Sequence, residues 1–129
     1  MTSLPIPITA VFTGILAIML VGISIRVTRA RITKKVSFHD GGDKEMTGIV
    51  RAQGNFIEYV PMALLVMALI EAMGGRIWAV YLYGGLLLVA RLAHVFALYS
   101  GFFPARVIGT SVTWALLALG GLYVIGLAA

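Results

Sequence analysis

The sequence contains no cysteine, which excludes a disulfide, a thiolate metal site and a cysteine nucleophile. Charge is scarce as well. Only 12% of the 129 residues are Asp, Glu, Lys or Arg, and only five of those are acidic. With 60% hydrophobic residues and a mean hydropathy of +1.01, a soluble domain of this length could not hide its apolar side chains. The chain reads as an all-α integral membrane protein. Its net charge of +5 and pI near 10.0 do not indicate nucleic-acid binding, because no soluble basic domain is present to carry it. No Lys or Arg precedes the first apolar run and basic residues follow it, so nothing resembles a cleaved signal peptide. No low-complexity tract and no second domain is visible.

What is present is a set of long apolar runs, with room for about four spans of roughly 20 residues. The uncharged run from Pro5 to Ile25 spans as a first helix and ends in Arg26, Arg29, Arg31, Lys34 and Lys35. The paired glycines and aspartates of Asp40-Gly41-Gly42-Asp43 read as a loop. That loop lacks the full ligand spacing of a calcium site, and it caps the next helix. The expected helices are 5–30, 46–73, 77–99 and 105–128, in an up-down four-helix bundle. Pro61 interrupts the backbone bonding of the second, a distortion membrane helices tolerate. Glu71 and Arg76, in the tight connection after it, are expected to offset each other. Gly120, Gly121 and Gly126, with Thr110, Ser111 and Thr113, are expected to permit close helix packing.

An even number of spans puts both termini on one side. Every basic residue except Arg76 then falls on the other side, which carries the whole net charge of +5. The positive-inside rule makes that side cytoplasmic and the termini non-cytoplasmic.

Loop cations follow from orientation, but the polar residues inside the apolar runs do not. Arg51, Asn55 and Glu58 stand at i, i+4 and i+7, within about 60° of one another on a helix. Ionisable groups at such depth are costly unless they pair or line a wet cavity. The bland alternative is that Arg51 snorkels to the interface while Glu58 pairs with another helix. In a bundle with short connections, Arg51, Arg91, His94 and Arg106 gather at one end with Asn55 and Glu58. The expected result is a cationic pocket for a small anion. Guanidinium groups would take carboxylates, and Glu58 an ammonium group or an arginine.

Arg51-Ala-Gln-x-Asn-x-x-Glu58-Tyr59-x-Pro61, followed by Arg91-x-x-His94, resembles the membrane-associated proteins in eicosanoid and glutathione metabolism, the MAPEG family. The polar stripe is closest to that of the glutathione-conjugating leukotriene synthase. The Asp-Gly-Gly loop and the short chain look more like the family's bacterial inner-membrane members. The resemblance covers nearly the whole chain. It implies a four-helix subunit in a homotrimer, embedded in the lipid bilayer, with glutathione between neighbouring subunits near the cytoplasmic face. By position, Arg51, Gln53, Asn55, Glu58 and Tyr59 would hold the tripeptide. Gln53 projects from the other side of its helix, which suits a shared site. Arg91 and His94 match helix-three positions, and Arg29 or Arg26 would supply a helix-one arginine. Two departures stand out. Leu98 occupies a position where the family pattern has tyrosine, with Tyr99 one place later, and Arg106 matches the helix-four arginine only with one inserted residue.

The resemblance implies a glutathione transferase or peroxidase acting on lipophilic electrophiles, with glutathione as co-substrate. Arg106, with Arg29 second, would stabilise the thiolate. His94 would serve as a base or as a ligand-orienting group. Two distant histidines without thiolates make a poor ligand set, so no metal is expected. A non-catalytic binding or structural membrane protein is the alternative that Leu98 favours. A small multidrug transporter ranks last, because the first helix has no embedded acid.

Overall fold

The computed structural model describes residues 6–129, and within them the chain forms four helices and no strand. These are α1 (Pro7–Lys34), α2 (Lys44–Ala72), α3 (Ile77–Ser100) and α4 (Phe103–Ala128). Each is long and apolar enough to cross a membrane. The protein is therefore an all-α, multi-pass membrane bundle. Pro5, the expected start of the first helix, lies outside the described residues.

Local chemistry sets the ends. Pro7 stands in the first turn of α1, where its missing N–H and fixed φ cost nothing. The basic residues Arg31 and Lys34 extend α1 beyond the apolar run and favour the negative end of its dipole. Arg31 then donates to the carbonyls of Val36 and His39 at 3.3 and 2.9 Å, folding the connection back. Asp43 starts α2 by accepting from the Met46 N–H at 2.8 Å. Lys34 pairs with Asp43 at 3.1 Å and with Glu45 at 2.9 Å, joining the end of α1 to the start of α2. The second helix runs through Pro61 unbroken. Gly101, with φ of 78°, closes α3 in the left-handed conformation that glycine adopts freely.

At the opposite end the structure corrects one expectation. Glu71 and Arg76 do not pair among the described residues. Glu71 instead accepts from the first backbone N–H groups of α1, and the Arg76 N–H donates to the Tyr123 hydroxyl at 3.0 Å. The free N–H groups at the start of α1 have no intrahelical acceptor, and a carboxylate that satisfies two of them gains more than it would in an exposed ion pair.

The helices pack with α2 and α3 against each other and each against both of the others, whereas α1 and α4 do not touch. The main core combines Leu16 and Ile23 of α1, Phe56, Val60, Ala63, Met67 and Ile70 of α2, and Val80, Tyr83 and Leu87 of α3. Close approach is achieved by glycine at the α3–α4 seam. A Cβ on Gly109 would stand 2.7 Å from the Ala90 carbonyl oxygen, and one on Gly120 would stand 2.6 Å from the Tyr83 ring. Gly121 and Gly126, expected to do the same, face open space. Large apolar residues such as Ile18, Leu65, Val89 and Leu122 point outward, as a lipid-facing surface requires.

Candidate functional site

The polar stripe of α2 lies on the side where α2 and α3 meet α4. There a cavity of about 470 Å³ opens outward between the helices, within the roughly 300–1,000 Å³ range of small-molecule sites. Arg51, Asn55, Glu58 and Tyr59 line it from α2, and His94 from α3. From α4 come Arg106, Thr110 and Ser111, with Phe103, Val107 and Trp114 forming an apolar rim. Glu58 is the one carboxylate among the lining residues. Six of the expected site residues, Arg51, Asn55, Glu58, Tyr59, His94 and Arg106, are thus brought together.

Arg51 and Glu58 form an ion pair at 3.4 Å along α2, with side chains about half exposed (48% and 50%). Gly54 sits beneath the pair, and a Cβ there would lie 3.6 Å from the Arg51 guanidinium. Solvent or lipid on one side of this pair leaves it exchangeable, because an exposed ion pair is worth little in itself. A ligand with its own charges can replace either partner.

Arg91 is placed differently from the sequence expectation. It is 1% exposed and does not line the cavity. Its Nη1 donates to Asn55 Oδ1 at 2.6 Å, and its Nη2 to the Gly109 carbonyl at 3.1 Å and Thr113 Oγ1 at 2.8 Å. One buried guanidinium thereby ties α2, α3 and α4 together behind the cavity wall. Thr113 is fully buried and donates in turn to the Gly109 carbonyl at 2.8 Å. Packing alone does not account for the Ser/Thr cluster of α4: Thr110 and Ser111 line the cavity, and Thr113 holds Arg91. The signal that could have found Thr113 is the arginine itself, since a charge deep in α3 requires acceptors from a neighbouring helix.

The residues near α1 stay apart from the cavity. Gln53 Nε2 donates to Ser24 Oγ at 2.9 Å, on the α1 side of α2. Arg26 pairs with Glu45 at 3.6 Å and lies over the Tyr99 ring, 5.4 Å from its centre. Arg29 stands on the outer face of α1 in a shallow groove with Leu20, Val21, Ser24, Ile25 and Thr28. The expected meeting of four helix ends is, at the cavity, a meeting of three, because α1 and α4 are separated by the α2–α3 pair. Leu98 is half-buried and is not among the residues that line the cavity, so no phenol enters it from that position.

The family model described as the MAPEG family matches residues 9–126. Among curated proteins, the chain is similar to the inner membrane protein YecN of Escherichia coli K12 and its counterpart in Escherichia coli O6:H1. Each is 34% identical over 112 residues, covering 87% of this chain and 86% of the relative. A match running from the first turn of α1 to the last of α4 leaves no element of the bundle outside it, and this chain belongs to the MAPEG family.

Proposed function

We propose that this protein binds glutathione in the cleft between α2, α3 and α4 and uses it as a transferase or peroxidase toward lipophilic electrophiles. The observation that carries the reading is the composition of that cleft. Two guanidinium groups, Arg51 and Arg106, and one carboxylate, Glu58, face a cavity of about 470 Å³ whose rim is apolar. A tripeptide with two carboxylates and one ammonium group matches those charges. An electrophile arriving from the lipid meets Phe103, Val107 and Trp114 first.

Arg106 is the residue assigned to the thiolate. It lies in the first turn of α4, a helix start with no side-chain cap, so the positive end of the helix dipole adds to its charge. Both favour the ionised thiol over the neutral one and raise the fraction of nucleophile at neutral pH. Arg51, Asn55, Glu58, Tyr59 and His94 hold the peptide. Gln53, with Arg29 or Arg26, completes the site from the α1 side of a neighbouring subunit in a homotrimer. The outward opening of a polar cleft at membrane depth supports this assembly, since lipid cannot satisfy those groups and a second copy can. The protein resides in a bacterial inner membrane, with the cleft near the cytoplasmic face and both termini opposite.

Leu98 favours a second reading, in which the protein binds glutathione without chemistry. Two measurements separate the two. Glutathione should raise the melting temperature of the purified protein, since a ligand that binds only the folded state stabilises it. Arg51→Ala or Glu58→Ala should abolish that rise with assembly intact, and an unchanged rise in either variant would sink the site. Conjugation of chlorodinitrobenzene or reduction of cumene hydroperoxide above background establishes the enzyme. Binding with no turnover across several electrophiles establishes the binder.

A further inference from the structure

We infer that Arg91 is a positioning residue acting on the ligand through Asn55, which it fixes as a donor toward an anionic oxygen of the bound peptide. The inference rests on the reading of the cleft as a glutathione site. It assigns Arg91 a role without ligand contact, in place of the direct contact that its position in the sequence suggests.

The argument begins with the donor inventory. A guanidinium carries donors only, so the Asn55 atom 2.6 Å from Arg91 Nη1 is the amide oxygen. An asparagine amide is otherwise free to turn over, and this contact removes that freedom. With Oδ1 held behind the wall, Nδ2 is the amide atom left for the cavity that Asn55 lines. The floor of the cleft therefore offers N–H and no acceptor at Asn55.

Arg91 is itself held from the other side. Its Nη2 is shared between the Gly109 carbonyl and Thr113 Oγ1, and Thr113 spends its own proton on the same carbonyl. All of these partners are neutral, and no ion pair to Arg91 is present among the described residues. The charge of Arg91 thus stays uncompensated one layer behind Asn55, where a low dielectric preserves its field. Glu58 remains the one acidic group among the described residues that line the cavity. The ligand's orientation follows: its ammonium group goes to Glu58, and an anionic oxygen goes to the Asn55 amide.

The test uses the full-length protein in detergent, reduced glutathione as the probe, calorimetric titration for affinity and thermal melting without ligand for integrity. In Asn55→Asp an acceptor-only carboxylate replaces the amide while every contact of Arg91 can persist. Its ligand-free melting temperature should equal or exceed that of the wild type, and its Kd for glutathione should rise more than about tenfold. Arg91→Gln and Asn55→Ala should each weaken binding about tenfold, and the double variant no more than the worse single one, because the two act through one amide. Asn55→Asp binding as tightly as wild type would overturn the inference. So would single losses that multiply in the double variant, which would mean Arg91 reaches the ligand by itself. Should Arg91→Gln fail to fold, Asn55→Asp decides alone. Wild-type protein that does not bind glutathione at all overturns the reading of the site and this inference with it, a result distinct from tight binding by Asn55→Asp.

Discussion

Glu71 of α2 holds the first turn of α1 through Thr9: its Oε2 accepts from both the Thr9 N–H and the Thr9 hydroxyl at 2.7 Å, while its Oε1 accepts from the Ile8 N–H at 2.8 Å. A cap usually comes from the residue just before the helix, and Ile6 there has no side-chain acceptor to offer. Glu71→Ala leaves two backbone donors without a partner at the membrane edge and should cost about 1–3 kcal/mol of stability. Glu71→Gln, which keeps one acceptor, should cost less. Thermal melting checks both, and because Glu71 lies at the end of the bundle away from the cleft, the stabilisation by glutathione should survive in each.

The Arg51–Glu58 pair predicts which part of the ligand matters. Because each partner occupies the other at 3.4 Å, a ligand that takes Arg51 with a carboxylate must also supply Glu58 with a cation, or leave it alone at membrane depth. Glutathione lacking its amino group should therefore bind the wild type about tenfold more weakly than glutathione does. In Glu58→Gln the two ligands should bind alike. Equal affinity of both ligands for the wild type would show that Glu58 does not receive the amine.

Much of this arrangement is legible in the sequence, and the parts that are not share a physical cause. The four spans follow from runs that only a bilayer can accommodate, and the i, i+4, i+7 spacing of Arg51, Asn55 and Glu58 by itself places them on one helical face. Arg91 and Glu71 are misread because their partners are distant in sequence. Arg91 reads along the sequence as an apparent ligand contact, yet it lies buried within α3, and the acceptors on α4 that let it be buried are Gly109 and Thr113. Glu71 has a basic neighbour in Arg76, but the donors it satisfies belong to α1. In both cases the unsatisfied polar groups of another helix decide the geometry, and periodicity along one helix carries no information about them. The helix-one arginines are a third case: their charge is obvious, but their distance from the cleft depends on α1 and α4 being held apart.

Glycine positions give a graded test of helix packing. A Cβ on Gly48 would stand 2.6 Å from the Leu98 carbonyl oxygen, a backbone atom that cannot swing away. Gly48→Ala should force α2 from α3 and cost about 1–3 kcal/mol, as overpacking does. Gly109→Ala meets the Ala90 backbone and His94, so it should also weaken glutathione binding by displacing the wall that carries Arg91. Gly121→Ala has no contact to make and should be neutral or stabilising by up to about 1 kcal/mol, through helix propensity alone. Gly121→Ala should therefore melt highest of the three variants, with Gly48→Ala and Gly109→Ala below the wild type, and a Gly48→Ala protein as stable as the wild type would contradict the close α2–α3 approach.

The loop outside the membrane makes stability depend on pH in the acidic range. The Met46 N–H, and after it Lys34, hold the Asp43 carboxyl below its ordinary value of 3.8. Asp40 is lowered in the same direction, chiefly by the Gly42 N–H and then by the Thr47 hydroxyl. A carboxyl whose folded pKa is depressed contributes stability that is fully present above its unfolded value and is lost as pH falls through the folded one. The melting temperature should therefore be flat with respect to these two groups from neutral pH down to about 5, and decline below about 4. Asp43→Asn retains an oxygen for the Met46 N–H but cannot lose a charge, so it should melt below the wild type at pH 7 and lose part of that decline. Melting curves of the two proteins at pH 7 and pH 3 should therefore converge on the acid side, and a gap of the same size at both values would mean that the charge of Asp43 contributes nothing to holding α1 against α2.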